Sequence, residues 1–105
     1  MKGRIIIIPV DPRTPASSKE LAGVPRLEEL REGVGGDIEI VPFFTTYKGQ
    51  IAVAFCNEHG KLDGLPVNRR ATALWYAQEP RFIGRDHLVG PIVIVTGDRA
   101  LMRRL

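Results

Sequence analysis

Two periodicities divide the chain. Arg4-Ile5-Ile6-Ile7-Ile8-Pro9-Val10 is a β-branched run without alternation, the pattern of a strand covered on both faces. Pro9 has no N–H for a ladder, so the strand ends, bulges or lies beside an edge there. Asp11 to Ser18, with Pro12, Pro15 and two serines, reads as loop. Leu27, Leu30 and Val34 then recur at helical spacing among Glu28, Glu29, Arg31 and Glu32, which predicts a short amphipathic helix. Pro25 suits its start and Gly35-Gly36 its end. Alternation from Asp37 to Val41 predicts a strand with one wetter face, and Gln50 to Cys56 returns beside it after a turn at Thr46-Tyr47-Lys48-Gly49. The pair reads as an antiparallel hairpin with a loop longer than the tightest type. Arg69 to Gln78 predicts a second helix, capped by Asn68 and ended before Pro80. Gly90-Pro91 opens a last strand, Ile92 to Val95.

The order is β-α-β-β-α-β, an α+β fold with a small, mostly antiparallel sheet and two short helices. A ferredoxin-like sandwich with both helices on one face fits that order, as does an irregular arrangement around a partly rolled sheet. The expected core is Ile6, Ile8, Leu27, Leu30, Ile38, Ile40, Val53, Phe55, Leu74, Trp75, Ile92 and Ile94. If the sheet is open, one of the apolar end strands, Ile5–Val10 or Ile92–Val95, lies near an edge. Apolar edges are usually covered or paired, so a homodimer is expected.

Composition narrows the class. A chain of 105 residues, 44% hydrophobic and 26% charged, is expected to form a single domain over 1–105. One cysteine excludes an internal disulfide and fits a reducing compartment, so a cytoplasmic location is expected. No apolar run approaches the length of a membrane span, and no membrane partner is expected. The charge of +3 is uneven: residues 1–60 hold seven Lys/Arg and eight Asp/Glu, whereas 61–105 hold eight and four. All the basic residues of the second half except Lys61 are arginines, whose planar donor forks suit carboxylates and phosphates. They equally serve solubility, particularly Arg99, Arg103 and Arg104 near the end of the chain.

Catalytic chemistry finds little footing. Cys56-x-x-His59 has metal-ligand spacing, with Asp86-His87 to complete a site, but structural zinc sites usually bring two close pairs. Cys56 continues an apolar strand and reads as a small buried hydrophobe rather than a nucleophile. The aspartates stand singly in loops and at strand ends, where Asp serves turns. No catalytic residue, metal or cofactor is therefore assigned. Gly35-Gly36 follows a helix and enters a strand, the reverse of a phosphate loop.

The stretch Asn57-Glu58-His59-Gly60-Lys61-Leu62-Asp63-Gly64-Leu65-Pro66-Val67-Asn68-Arg69-Arg70 is the most constrained connector. Its glycines accept positive φ and Pro66 fixes its own. Asn57, Lys61, Asn68, Arg69 and Arg70 are the candidate binding residues, presented to an anion or an acidic protein patch. Under the structural reading Asn57 holds a turn, Asn68 caps a helix and the arginines are solvated.

This stretch, with the helix-Gly-Gly-strand before it and Gly90-Pro91-Ile92-Val93-Ile94-Val95 after it, resembles the family catalogued as domain of unknown function 3846. That family is encoded largely by bacteriophages, plasmids and integrated elements. The resemblance implies a small accessory protein of a mobile element and brings no activity with it. The expectation is a non-catalytic factor that binds a host or defence protein. A nucleic-acid-binding module using the arginine-rich second half is an alternative, as is a binder of a small anionic ligand such as a nucleotide.

Overall fold

The computed structural model describes residues 1–105. Six strands, β1 (Gly3–Ile8), β2 (Ser17–Leu21), β3 (Ile38–Ile40), β4 (Thr46–Tyr47), β5 (Gln50–Asn57) and β6 (Ile92–Gly97), form one sheet. Its order is β2-β1-β6-β5-β3, with β4 also paired to β5, and every pairing is antiparallel. Three helices accompany it, α1 (Leu27–Val34), α2 (Arg69–Gln78) and α3 (Arg99–Met102), with a single 3-10 turn at Pro80–Phe82.

The α+β class and the antiparallel sheet are as the periodicities predict, and the six expected elements occur in their expected order. The helices, however, lie on opposite faces of the sheet rather than together on one. Side chains alternate along each strand, so Ile6, Ile8, Ala52, Ala54, Ile92 and Ile94 point to one side, where Ala71 and Trp75 of α2 cover them. Ile5, Phe55, Val93 and Val95 point to the other, under Leu30 and Val34 of α1 and Leu101 of α3. Thus the all-apolar runs of β1 and β6 are covered on both faces. The arrangement is the irregular alternative, not the ferredoxin-like one.

Coverage also revises the expected core. Ile40 and Leu27 are exposed (57% and 45%) because β3 is an edge and α1 turns only Leu30 and Val34 fully inward. Neither apolar strand lies at an edge. β6 is central, and β1 is screened by β2, whose Ser17-Ser18-Lys19-Glu20 segment is exposed throughout. A polar edge carrying lysine discourages further pairing, which removes the argument for a homodimer. Ser17 and Ser18, expected in a loop, belong to this strand; they pair with Ile7 and Ile6.

The hairpin turn is the tightest type, not a longer one. Lys48 (φ 49°) and Gly49 (φ 78°) form a two-residue connection between β4 and β5, as strand twist favours. The extra length lies farther back. Ile40 pairs with Phe55 and Thr46 with Ile51, so five residues, 41–45, oppose three, 52–54. This is a bulge larger than the usual two-against-one type. Pro42 lacks an N–H and Phe43 has φ 61°, which throws Phe43 outward while Phe44 turns into the core (55% and 3% exposed).

α1 approaches the sheet closely because position 33 is glycine: a Cβ there would sit 2.4 Å from Val93 Cγ2. Gly33→Ala would improve intrinsic helix propensity, yet it overpacks the α1–β6 contact. The expected outcome is a loss of about 1–3 kcal/mol in denaturant titration. A gain would show that α1 can withdraw without cost.

Candidate binding surface

The connector after β5 folds as a tight series of turns. Gly60 N–H donates to Asn57 O (3.1 Å), Asp63 N–H to His59 O (2.9 Å) and Leu65 N–H to Gly60 O (2.9 Å). The Asn57 side chain serves this local structure. Its Oδ1 accepts from His59 N–H at 2.9 Å, and its Nδ2 donates to Val34 O at 3.4 Å, the end of α1.

Asn68 is fully buried. Its Oδ1 accepts from Ala71 N–H at 3.1 Å and so caps α2, as the sequence predicts. Its Nδ2 donates to Ile8 O (2.8 Å) and Gly90 O (3.0 Å), joining the ends of β1 and the segment before β6. A residue so enclosed is closed to a partner, which corrects its assignment as a binding residue. Arg70 is half-buried and donates through one terminal nitrogen to Pro9 O (2.7 Å) and Asp11 O (3.0 Å). It fastens the β1–β2 loop to α2 instead of standing free. Arg69 beside it is exposed. Lys61 pairs with Asp86. The five residues therefore do not form one surface: Asn57, Asn68 and Arg70 work inward, while Lys61 and Arg69 face solvent.

Lys61 and Asp86 lie at a cavity of about 270 Å³ whose wall includes Glu39, Cys56, Trp75 and His87. Burial favours the neutral form of the Asp86 carboxyl, but hydrogen bonds from Lys61 and the His87 N–H, together with their charges, outweigh it and hold its pKa below the ordinary value. Cys56 goes the other way. Burial, and then the nearby Glu39 carboxylate, push its thiol up to about 11, so at neutral pH it carries almost no thiolate and is a poor nucleophile. The group that His59 joins is Asp37 and Glu58 rather than Cys56, their ligand-type atoms within 4.8 Å of one another and all three exposed.

On the cavity's outer side stands the feature that periodicity did not disclose. Phe43, at the crest of the bulge, lies under the Arg81 guanidinium, 4.0 Å from ring centroid to Cζ. Glu79 holds Arg81 at 2.6 Å. Beneath them Phe82 stacks on Trp75 at 4.0 Å. α2 anchors both flanks of the bulge: Trp75 Nε1–H donates to Pro42 O (2.8 Å), and Gln78 Oε1 accepts from the Thr45 and Thr46 N–H groups (2.8 and 3.0 Å). Ile40 and Ile83 are also exposed, by 57% and 59%. The only sequence signal for this arrangement is Pro42-Phe43-Phe44 inside an otherwise alternating strand, where proline marks a bulge or an edge.

With this geometry in place, the comparisons add one result. The family model described as a domain of unknown function, DUF3846, matches residues 1–101. The chain belongs to the DUF3846 family. No curated protein and no solved structure matches it. Membership agrees with the resemblance carried by the Asn57–Arg69 stretch and leaves the activity to be argued from the residues. No helix of this DUF3846 chain is long and apolar enough to cross a membrane.

The inward and outward residues of the connector should separate on substitution. Asn68→Ala removes a cap and leaves two carbonyls unpaired, and should cost about 2–4 kcal/mol in chemical denaturation. Arg69→Ala should change stability by less than about 0.5 kcal/mol. Equal effects from the two substitutions would contradict the division.

Proposed function

We propose that this DUF3846 protein is a non-catalytic binding factor that engages another protein through the Phe43 face. The observation that carries the reading is Phe43 itself. A bulky residue at φ 61° is rare and strained, at a cost on the order of 1–3 kcal/mol. Here the strain turns an aromatic ring toward solvent, where burial gives no return. Arginine and aromatic side chains are the groups most enriched at the energetic centres of protein interfaces. Arg81 over Phe43, with the Phe82 ring 6.2 Å from that of Phe43, has that composition.

The polar groups nearby favour binding over catalysis. The Cys56 thiol is protonated at neutral pH and the Asp86 carboxylate is engaged by Lys61. The family resemblance suggests the setting, an accessory protein of a bacteriophage or plasmid, and a host or defence protein as the partner.

Phe43→Gly tests the reading, because glycine accepts the left-handed conformation without strain. Stability should stay within about 1 kcal/mol of the parent, strain relief offsetting the lost ring contacts. Affinity capture from host lysate, compared between parent and Phe43→Gly, should lose its specific partner with the variant. A partner retained at full strength by a stably folded Phe43→Gly protein would refute this surface. Salt-sensitive retardation of DNA by parent and variant alike would move the reading to nucleic acid.

A further inference from the structure

A second cavity, of about 280 Å³, lies beyond the reach of α2. It sits on the same face of the sheet, where β2, β1 and β6 meet the β4–β5 turn. Arg4, Ser17, Ser18, Tyr47, Lys48 and Thr96 line it, and no carboxylate does. Two cations and four hydroxyl-bearing side chains thus converge on a space that α2 leaves uncovered.

The donors are largely unspent. Thr96 follows Ile92 and Ile94 along β6 and lines the cavity from this face of the sheet. Lys48 has no ion pair; its ammonium lies 5.5 Å over the Tyr47 ring. Arg4 donates from Nε to Ser18 Oγ at 2.8 Å and meets Glu20, which is largely solvated, at 3.5 Å. The guanidinium is therefore oriented at the rim and only partly neutralised.

We infer that this cavity binds a small phosphate monoester, the phosphoryl group held by Arg4, Lys48 and the Thr96 hydroxyl. A phosphate offers several strong acceptor oxygens to donors arriving from different directions and carries the charge the two cations lack. The volume lies just below the usual range for ligand pockets, which suits a phosphosugar and is too small for a dinucleotide. Tyr47 supplies an apolar wall for the organic part. The site lies apart from the Phe43 face and does not depend on the protein-binding reading.

Titration of ¹⁵N-labelled protein with ribose 5-phosphate, and separately with ribose, tests the site. Ribose 5-phosphate should move the amide resonances of Ser17, Lys48 and Thr96 saturably, and ribose should leave them in place. Lys48→Asn keeps a residue tolerant of positive φ while removing the charge, and Thr96→Val removes only the hydroxyl. Each should weaken binding about tenfold or more, as loss of a charge-assisted hydrogen bond predicts, with the remaining spectrum unchanged. Absence of saturable shifts up to roughly 10 mM ribose 5-phosphate, a range of very weak affinity, would overturn the inference. Equal response to ribose, or undiminished affinity in both variants, would overturn it as well.

Discussion

α2 does more for this fold than cover one face of the sheet. At its start, the fully buried Asn68 side chain caps the helix while donating to Ile8 O and Gly90 O. At its far end, Trp75 and Gln78 bond to the backbone of the β3–β4 excursion. These bonds satisfy peptide groups that leave the ladder where β1 ends and where the bulge begins, and the buried pair at Ile8 O and Gly90 O would cost about 1–3 kcal/mol each if left without partners. The β1 terminus, the entry to β6 and the bulge are thus set by one helix.

The proposed binding surface follows from that constraint. Five residues opposite three leave the chain with slack, and slack alone would collapse into the nearest apolar contact. The two anchors divide it instead: Phe44 goes into the core and Phe43 goes out. The 3-10 turn after α2 brings Arg81 over the ring, so one helix holds the backbone of the display and, through the segment that follows it, supplies the cation. Sheet, helix and surface form one construction, in which the strain at Phe43 is supported by hydrogen bonds about its flanks.

Much of this was legible in the chain. α2 runs from Arg69 to Gln78 with Asn68 as its cap, as predicted, because cap chemistry and the Glu79-Pro80 stop are local signals. The strands β1, β5 and β6 were readable for the same reason. β2 was not: its Ser-Ser-Lys-Glu run has no apolar period, since an edge strand with a solvated face needs none. The placing of the helices on opposite faces also escaped, because the unalternating runs of β1 and β6 report burial on both sides without saying what covers each. In the candidate site, charge and loop chemistry drew attention to residues 57–70. Whether an asparagine or arginine there faces inward depends on carbonyls distant in sequence, Ile8 and Gly90 for Asn68 and Pro9 for Arg70. No local pattern encodes such partners.

The central claim is that α2 holds the bulge in the conformation that exposes Phe43. Amide hydrogen exchange at Thr45 and Thr46, in the parent protein and in Gln78→Ala, tests it most directly, since Gln78 Oε1 is the acceptor for both amides. The account predicts slow exchange of both amides in the parent and rapid exchange in Gln78→Ala, with protection in the β1–β6 pair retained. Rapid exchange of Thr45 and Thr46 in the parent, or protection unchanged in the variant, would contradict it.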